Sequence, residues 1–169
     1  TTGGLGAMQC RLVGISMAVA PGEAVYIPLA HRHPDLDPGA QLPMDEVLAR
    51  LQPWLEDASC AKLLHHAKFD THAFANSGIA LRGVAHDTML QAYVLESHRG
   101  VSLQDLSQRW LGRSGLSYEQ LCGKGAQQIG FDEVAVEQAA HYACEDADFT
   151  LALHQLLRPK VAAEPGLES

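Results

Sequence analysis

After an opening hairpin pattern, short strand-like segments alternate with helical ones, and that order confines this chain to a layered α/β fold with a mixed sheet. Arg11–Ala20 reads as a strand, Pro21-Gly22-Glu23 as a tight turn, and Ala24–Leu29 as the antiparallel partner. Residues 31–43, rich in Pro and Asp, form a loop. Asp45–Gln52 carries helical apolar spacing that continues to Leu55. Ala61–His65 is a short, buried-type strand, followed by a helix from about Thr71 to Asn76 with Gly78 as its stop. Val84 ends another short extended segment, and Asp87 then caps a helix over Thr88–Leu95. Ser102–Leu111, with Leu103, Leu106, Trp110 and Leu111, predicts an amphipathic helix stopped by Gly112. Gly123-Lys124-Gly125 lies in a loop, and the last long helix starts near Asp132 and ends before Pro159. No internal repeat interrupts the pattern, and the residues after Lys160 read as a tail.

Inside that last helix lies Tyr142-Ala-Cys-Glu-Asp-Ala-Asp148. Four-residue spacing puts Tyr142 and Asp146 on one helix face, one turn apart. A phenol beside a carboxylate can hold and orient a water next to a metal ion. Far upstream, His65-His66-Ala67-Lys68-Phe69-Asp70 marks a passage from strand to helix and supplies a second acid. Acids from separate elements, with a Tyr one turn before the later one, suit metal-assisted cleavage of a phosphodiester. Each residue also has a plainer reading. Asp70 can be a helix N-cap, Asp87 a cap rather than a ligand, and Asp146 one solvated acid beside Glu145 and Asp148. Tyr118 can be a half-buried aromatic.

Composition narrows the classes. A length of 169 residues fits one domain with a real core, and 47% hydrophobic content excludes wholesale disorder. Mean hydropathy is near zero and no long apolar run predicts a transmembrane helix. No signal peptide is visible, and Cys10, Cys60, Cys122 and Cys144 lack paired zinc spacing, which reads as reduced, mostly buried thiols in a cytoplasmic protein. A net charge of −8 argues against a general nucleic-acid binder driven by electrostatics. It leaves room for an enzyme that grips a strand end through bound cations, since those ions offset clustered acids.

The ordered series Leu12-Val-Gly-Ile-Ser16, Tyr26-Ile-Pro-Leu-Ala30, Lys68-Phe-Asp70, Gly78-Ile79, Leu81-Arg-Gly83, Asp87-Thr-Met-Leu90, Leu106 with Arg109-Trp-Leu111, Gly123-Lys-Gly125 and Tyr142 through Thr150 carries a resemblance. From about residue 8 to 158 the chain resembles the 3′→5′ proofreading exonuclease domain of bacterial DNA polymerase I (family A), a Tyr-type member of the four-acid exonuclease superfamily. The resemblance implies a ribonuclease-H-like mixed sheet flanked by helices, with residues 1–160 as the exonuclease domain of a larger polymerase and 161–169 as a tail or linker. It implies two divalent cations, Mg²⁺ or Mn²⁺, held by four acids. The implied partners are a single-stranded DNA 3′ end and the polymerase domain of the same parent chain. Residue by residue, Asp70 resembles the acid serving the second metal, Asp146 an acid serving the first, and Tyr142 the hydroxyl that orients the attacking water. Tyr118 stands where the family places an aromatic that stacks on a base, and Leu5 where it places an apolar wedge. Phe69 joins the substrate-facing group. Stacking grips any base, which suits removal of all four.

Two departures stand out. His66 occupies the position, four residues before the second acid, where the family usually has Asn; an imidazole can still donate to a phosphate or sugar oxygen. The family's first motif, Asp-x-Glu on the opening strand, precedes a Thr/Gly-Leu turn, and Thr1-Thr2-Gly3-Gly4-Leu5 matches that turn or its remnant with no acid before it. Gapless alignment puts Thr1 at the Glu position, whereas one inserted Gly puts the Glu immediately upstream of Thr1. Residues 1–169 alone are therefore expected to bind the cations poorly and cleave little. In the implied fold that first strand is the middle of the sheet, and losing it would cost more than a typical domain stability of roughly 5–15 kcal/mol. The expectation is a longer parent whose strand carries Asp-x-Glu. Two rivals remain open: a ribonuclease D-like RNA 3′ exonuclease, and a vestigial exonuclease domain kept as a structural platform for the polymerase.

Overall fold

The structure, a computed structural model, describes residues 10–164. Strands β1 (Gly14–Ala20) and β2 (Glu23–Pro28) form the expected hairpin, with Gly14 opposite Pro28 and Ser16 opposite Tyr26. Gly22 makes the turn at φ 79°, a left-handed conformation that glycine adopts without a steric penalty. Helix α1 (Met44–Leu55) follows with Asp45 and Glu46 in its first turn, where the helix dipole favours negative charge. Then come β3 (Lys62–Leu64), α2 (Ala67–Ala75) and β4 (Val84–Asp87), a crossover unit whose strands pair in parallel, Leu63 against His86 and Leu64 against Asp87. The remainder is helical: α3 (Thr88–Leu95), α4 (Leu103–Leu106), α5 (Tyr118–Cys122) and α6 (Val136–Ala162).

Several boundaries differ from the sequence reading. Helix α2 begins at Ala67 rather than near Thr71, because Asp87 reaches back to accept from the backbone N–H groups of His66 (3.1 Å) and Ala67 (2.8 Å). That cap comes from the far strand and leaves no local signal. Val84 starts β4 instead of ending an extended segment. The helix read over 102–111 divides into α4 and a wider π-type turn, Ser107–Leu111, closed by Gly112 at φ 64°. A 3-10 turn at Phe131–Glu133 precedes α6, so the long helix starts at Val136. Its far end passes through Pro159 instead of stopping before it. Proline there forfeits one backbone bond on an exposed turn, while the wholly buried Leu157 anchors that turn in the core. Helix α5 was not expected; Ser117 and Gln120 close a capping box around its first turn. Among the described residues the strands form two separate pairs, β1 with β2 and β3 with β4, rather than one continuous mixed sheet.

Three clusters make the core. Leu12, Ile15, Leu29, Val47, Leu48, Leu55 and Ile79 join β1 to α1 and α2. Val13, Cys122, Phe131, Val134 and Ala139 join the hairpin to α5 and the start of α6. Ala92, Leu106, Leu153 and Leu157 join α3 and α4 to the end of α6. Helix α6 walls the second and third clusters, and Ala139 and Ala143, both wholly buried, let it lie close against its neighbours. Asp148 fastens it further: its carboxylate accepts from the Gly22 N–H (2.7 Å) and from Arg113 (3.0 Å), whose guanidinium lies over Phe149. None of the four cysteines is in a disulfide; Cys10 and Cys122 are buried and Cys60 and Cys144 half-buried. No helix among the described residues is long and apolar enough to cross a membrane.

Candidate active site

One cavity of about 680 Å³ lies between the two strand pairs, walled by Ser16–Val19 of β1, Lys62–Leu64 of β3, the first turns of α2 and the middle of α6. His66, Phe69, Asp70, Tyr118, Tyr142 and Asp146 all line it. Sequence positions 66 to 146 are brought together here by three separate elements. Leu5, the remaining site residue read from the sequence, lies outside the described residues.

Asp70 enters from α2. Because that helix begins at Ala67, Asp70 sits inside its first turn rather than at the N-cap, a place taken by His66. The plain capping role is thereby excluded. Its carboxyl is held above the ordinary carboxylate range, first by burial, against the opposing pull of neighbouring positive charge that includes His66. His66 itself adopts φ 65° and ψ 53°, the single positive-φ residue other than glycine among the described residues. This reversal swings the chain from β3 into α2 and stacks the imidazole near Phe69, with ring centroids 5.8 Å apart. Left-handed backbone at a residue other than glycine costs roughly 1–2 kcal/mol, so the surrounding structure must hold it. Two grips are visible: the Asp87 cap on the His66 N–H, and the neighbouring His65, whose Nδ1 meets the buried Thr88 hydroxyl at 2.9 Å. Burial lowers the His65 imidazole to about 4, so it is neutral and structural.

Tyr142 and Asp146 enter from α6, one turn apart. The Tyr142 hydroxyl donates to the Asp146 carboxylate. Burial pushes Asp146 up to about 7 despite that hydrogen bond, and burial together with the Asp146 charge raises the Tyr142 phenol. The solvated-acid reading of Asp146 fails here. Behind Tyr142 stands Phe131, 1% exposed, with centroids 6.0 Å apart. Behind Phe131 stands His31, which meets Tyr26 Oη at 2.7 Å and the Val134 carbonyl at 3.2 Å. This backing row locks the phenol's direction, and sequence reasoning missed it because nothing local links residues 26, 31, 131 and 142.

Tyr118 opens α5 and packs its ring with Tyr142 against the second core cluster, half-buried. Burial and a hydrogen bond with Cys122 push its phenol up to about 12. The ring therefore forms part of the cavity wall while its hydroxyl is occupied elsewhere. Asp87, read as a cap, is a cap twice over, accepting from Met89 and Leu90 at the start of α3 as well as from α2.

The chemistry of the donors bears on metal binding. Two carboxyls stand in one cavity with their ionised forms poorly solvated, and a hard divalent cation restores the charged form of such groups while taking oxygen ligands. The two acids fit a cation of that type. Among the described residues no group of three His, Cys, Asp or Glu side chains could hold a metal ion.

A family model described as 3′-5′ exonuclease matches residues 2–162. DNA polymerase I of Pseudomonas aeruginosa is 47% identical over 169 residues, covering 98% of this chain and 18% of that protein. DNA polymerase I of Chloroflexus aurantiacus is 40% identical over 156 residues, covering 92% and 16%. The chain thus spans less than a fifth of the length of these curated relatives. Among solved structures, the POL domain of Pol1 from M. smegmatis in complex with DNA primer-template and dNTP matches 96% of this chain and 23% of its own, at TM-score 0.67 and 28% identity. A structure described as the apo form of the nuclease matches 95% of this chain and 70% of its own, at TM-score 0.66; at 18% identity it shows the fold alone. The mixed α/β architecture is shared with both, as expected for a ribonuclease-H-like fold. The chain belongs to the 3′–5′ exonuclease family found in bacterial DNA polymerase I.

Proposed function

We propose that this domain removes nucleotides from single-stranded DNA 3′ ends as a proofreading exonuclease, by hydrolysis that uses the divalent cations Mg²⁺ or Mn²⁺. The observation that carries this reading is the convergence of Asp70, Tyr142 and Asp146 in one cavity, with both carboxyls raised by burial. Asp70 and Asp146 would hold the metal, which when bound supplies charge stabilisation and an activated water. Tyr142 keeps its proton and orients that water, braced by Phe131. Tyr118 offers a π-face to a base near the 3′ end, Phe69 an apolar wall, and the His66 imidazole a donor to phosphate or sugar. Leu5 is assigned the wedge that separates the terminal bases. In the parent protein the domain would receive its strand end from a polymerase domain.

Digestion of a 5′-labelled oligonucleotide with Mg²⁺ or Mn²⁺ tests this. In a longer protein that carries the Asp-x-Glu strand ahead of Thr1, stepwise shortening from the 3′ end is expected, nearly abolished by Asp70→Ala or Asp146→Ala. Tyr142→Phe is expected to cost about tenfold to a thousandfold, since orienting a water is one part of the barrier. Full activity in either Asp variant refutes the assignment. Tight binding without shortening in that longer protein would favour the platform role, and preference for RNA the ribonuclease D-like one.

A further inference from the structure

Away from the cavity, an unassigned group of basic side chains gathers where His86 of β4 meets the second half of α6. His86 of β4 and His154 of α6 stack with ring centroids 4.4 Å apart and planes 32° from parallel. Arg158 follows His154 by one helical turn on the same face of α6, and its charge bears on both imidazoles. From α3, Gln91 meets His154 Nδ1 at 3.2 Å. Among the described residues no ion pair joins the group to an acid. The neighbouring Asp87 has its carboxylate committed to the N–H groups of His66, Ala67, Met89 and Leu90. Arg158, like Arg11, Arg50 and Arg82, is in no ion pair among the described residues, whereas Arg32, Arg99, Arg109 and Arg113 pair with carboxylates.

Such a group is out of place as scaffolding. Two imidazoles and a guanidinium repel one another once protonated, and burial together with the Arg158 charge holds both imidazoles below their ordinary value. A bound anion reverses that balance. The group also has a route to the active site. His86 lines a groove of about 430 Å³ shared with Lys68 and His66, and His66 in turn lines the catalytic cavity. The basic residues lining the groove are His66, Lys68 and His86; Asp87 lines it too, with its carboxylate taken up by backbone N–H groups.

We propose that His86, His154 and Arg158 form a second phosphate site, which holds the backbone of a single DNA strand upstream of its 3′ end after it leaves the cavity along the groove past His66 and Lys68. The identity of the strand rests on the exonuclease reading; the anion chemistry does not. Because the free imidazoles are neutral near neutrality and gain protons when a phosphate binds, this contact strengthens as pH falls.

The test compares a 5′-fluorescent dinucleotide with an octanucleotide by anisotropy in Ca²⁺, across salt and pH, for the unaltered protein, Arg158→Gln and Arg158→Lys. Arg158→Gln is expected to weaken the octanucleotide about threefold to tenfold and to make its salt slope shallower by about 0.7, the value for one lost phosphate contact on a single strand. The dinucleotide should be unaffected, and Arg158→Lys should recover most of the loss. The octanucleotide's advantage should grow on acidification and cease to do so when His86 and His154 are both Gln. Equal octanucleotide binding by Arg158→Gln and the unaltered protein overturns the proposal, and so does equal weakening of both lengths, which would mark Arg158 as structural. A parallel titration with inorganic phosphate, read from imidazole NMR shifts, separates the sources. Shifts at His86 and His154 with no length-dependent loss in Arg158→Gln would assign a free-phosphate site and overturn the strand track. Failure of the exonuclease reading looks different: intact, Arg158-dependent strand binding with digestion unaffected by Asp146→Ala.

Discussion

Asp146→Asn is expected to make the metal-free protein more stable at mildly alkaline pH, although it removes a proposed metal ligand. The carboxyl titrates at about 7 in the folded chain against a reference of 3.8. A raised acid pKa means that the folded state binds the proton more tightly than the unfolded state. Its ionised form therefore opposes folding, fully above the folded pKa and progressively less as pH falls toward the unfolded one. At 1.36 kcal/mol per unit, a shift of about 3 units corresponds to about 4 kcal/mol near pH 8; water in the open cavity screens part of this, leaving about 2–3 kcal/mol. Asn removes the charge, keeps nearly the same volume, and still offers an oxygen to the Tyr142 hydroxyl. For a chain of this size the gain corresponds to a rise in Tm of roughly 5–10 °C. The assay is calorimetry in EDTA at about pH 8 and about pH 5. The difference between the two proteins should be largest at the higher pH and fall to roughly two-fifths of that at the lower, and adding Mn²⁺ should stabilise only the unaltered protein. A variant that is less stable at the higher pH without metal, or a difference that does not change with pH, would refute the reasoning.

Other consequences follow from neighbouring residues. Tyr118→Ala should weaken single-strand binding in Ca²⁺ by about tenfold to a hundredfold, equally for all four terminal bases, because one stacking contact is worth roughly 1–3 kcal/mol. Tyr118→Phe should change it little; unchanged affinity in Tyr118→Ala with an earlier melt would make the ring a core residue only. His66→Gly should raise stability by about 1 kcal/mol in urea titration through relief of the left-handed backbone, and a loss instead would mean that the imidazole packs more strongly than the strain costs. His65, neutral with a folded value of about 4, should make acid destabilising: its contribution is complete above the unfolded value near 6.5 and is lost as pH falls toward 4, by up to about 3 kcal/mol. A His65→Gln protein lacking this pH-dependent component checks that sign; an unchanged acid profile would contradict it.

Local chemistry made much of the chain legible. The hairpin follows from Pro21-Gly22 between two apolar runs, the crossover unit from alternation, and the Tyr142–Asp146 pair from four-residue spacing, because each depends on neighbours in sequence. Elements set by distant partners were not legible. Helix α2 begins four residues early because Asp87 caps it from the next strand, and that shift is what moves Asp70 from an end to a buried first turn. Phe131 and His31 brace Tyr142 across a hundred residues of chain. The His86–His154–Arg158 group exists only because the fold brings His86 of β4 against His154 of α6. Spacing along the backbone determines which side chains share a face. Burial determines what a shared face can do, since desolvation raises Asp70 and Asp146 and lowers His65, and desolvation is decided by everything packed around a group rather than by the residues beside it in sequence.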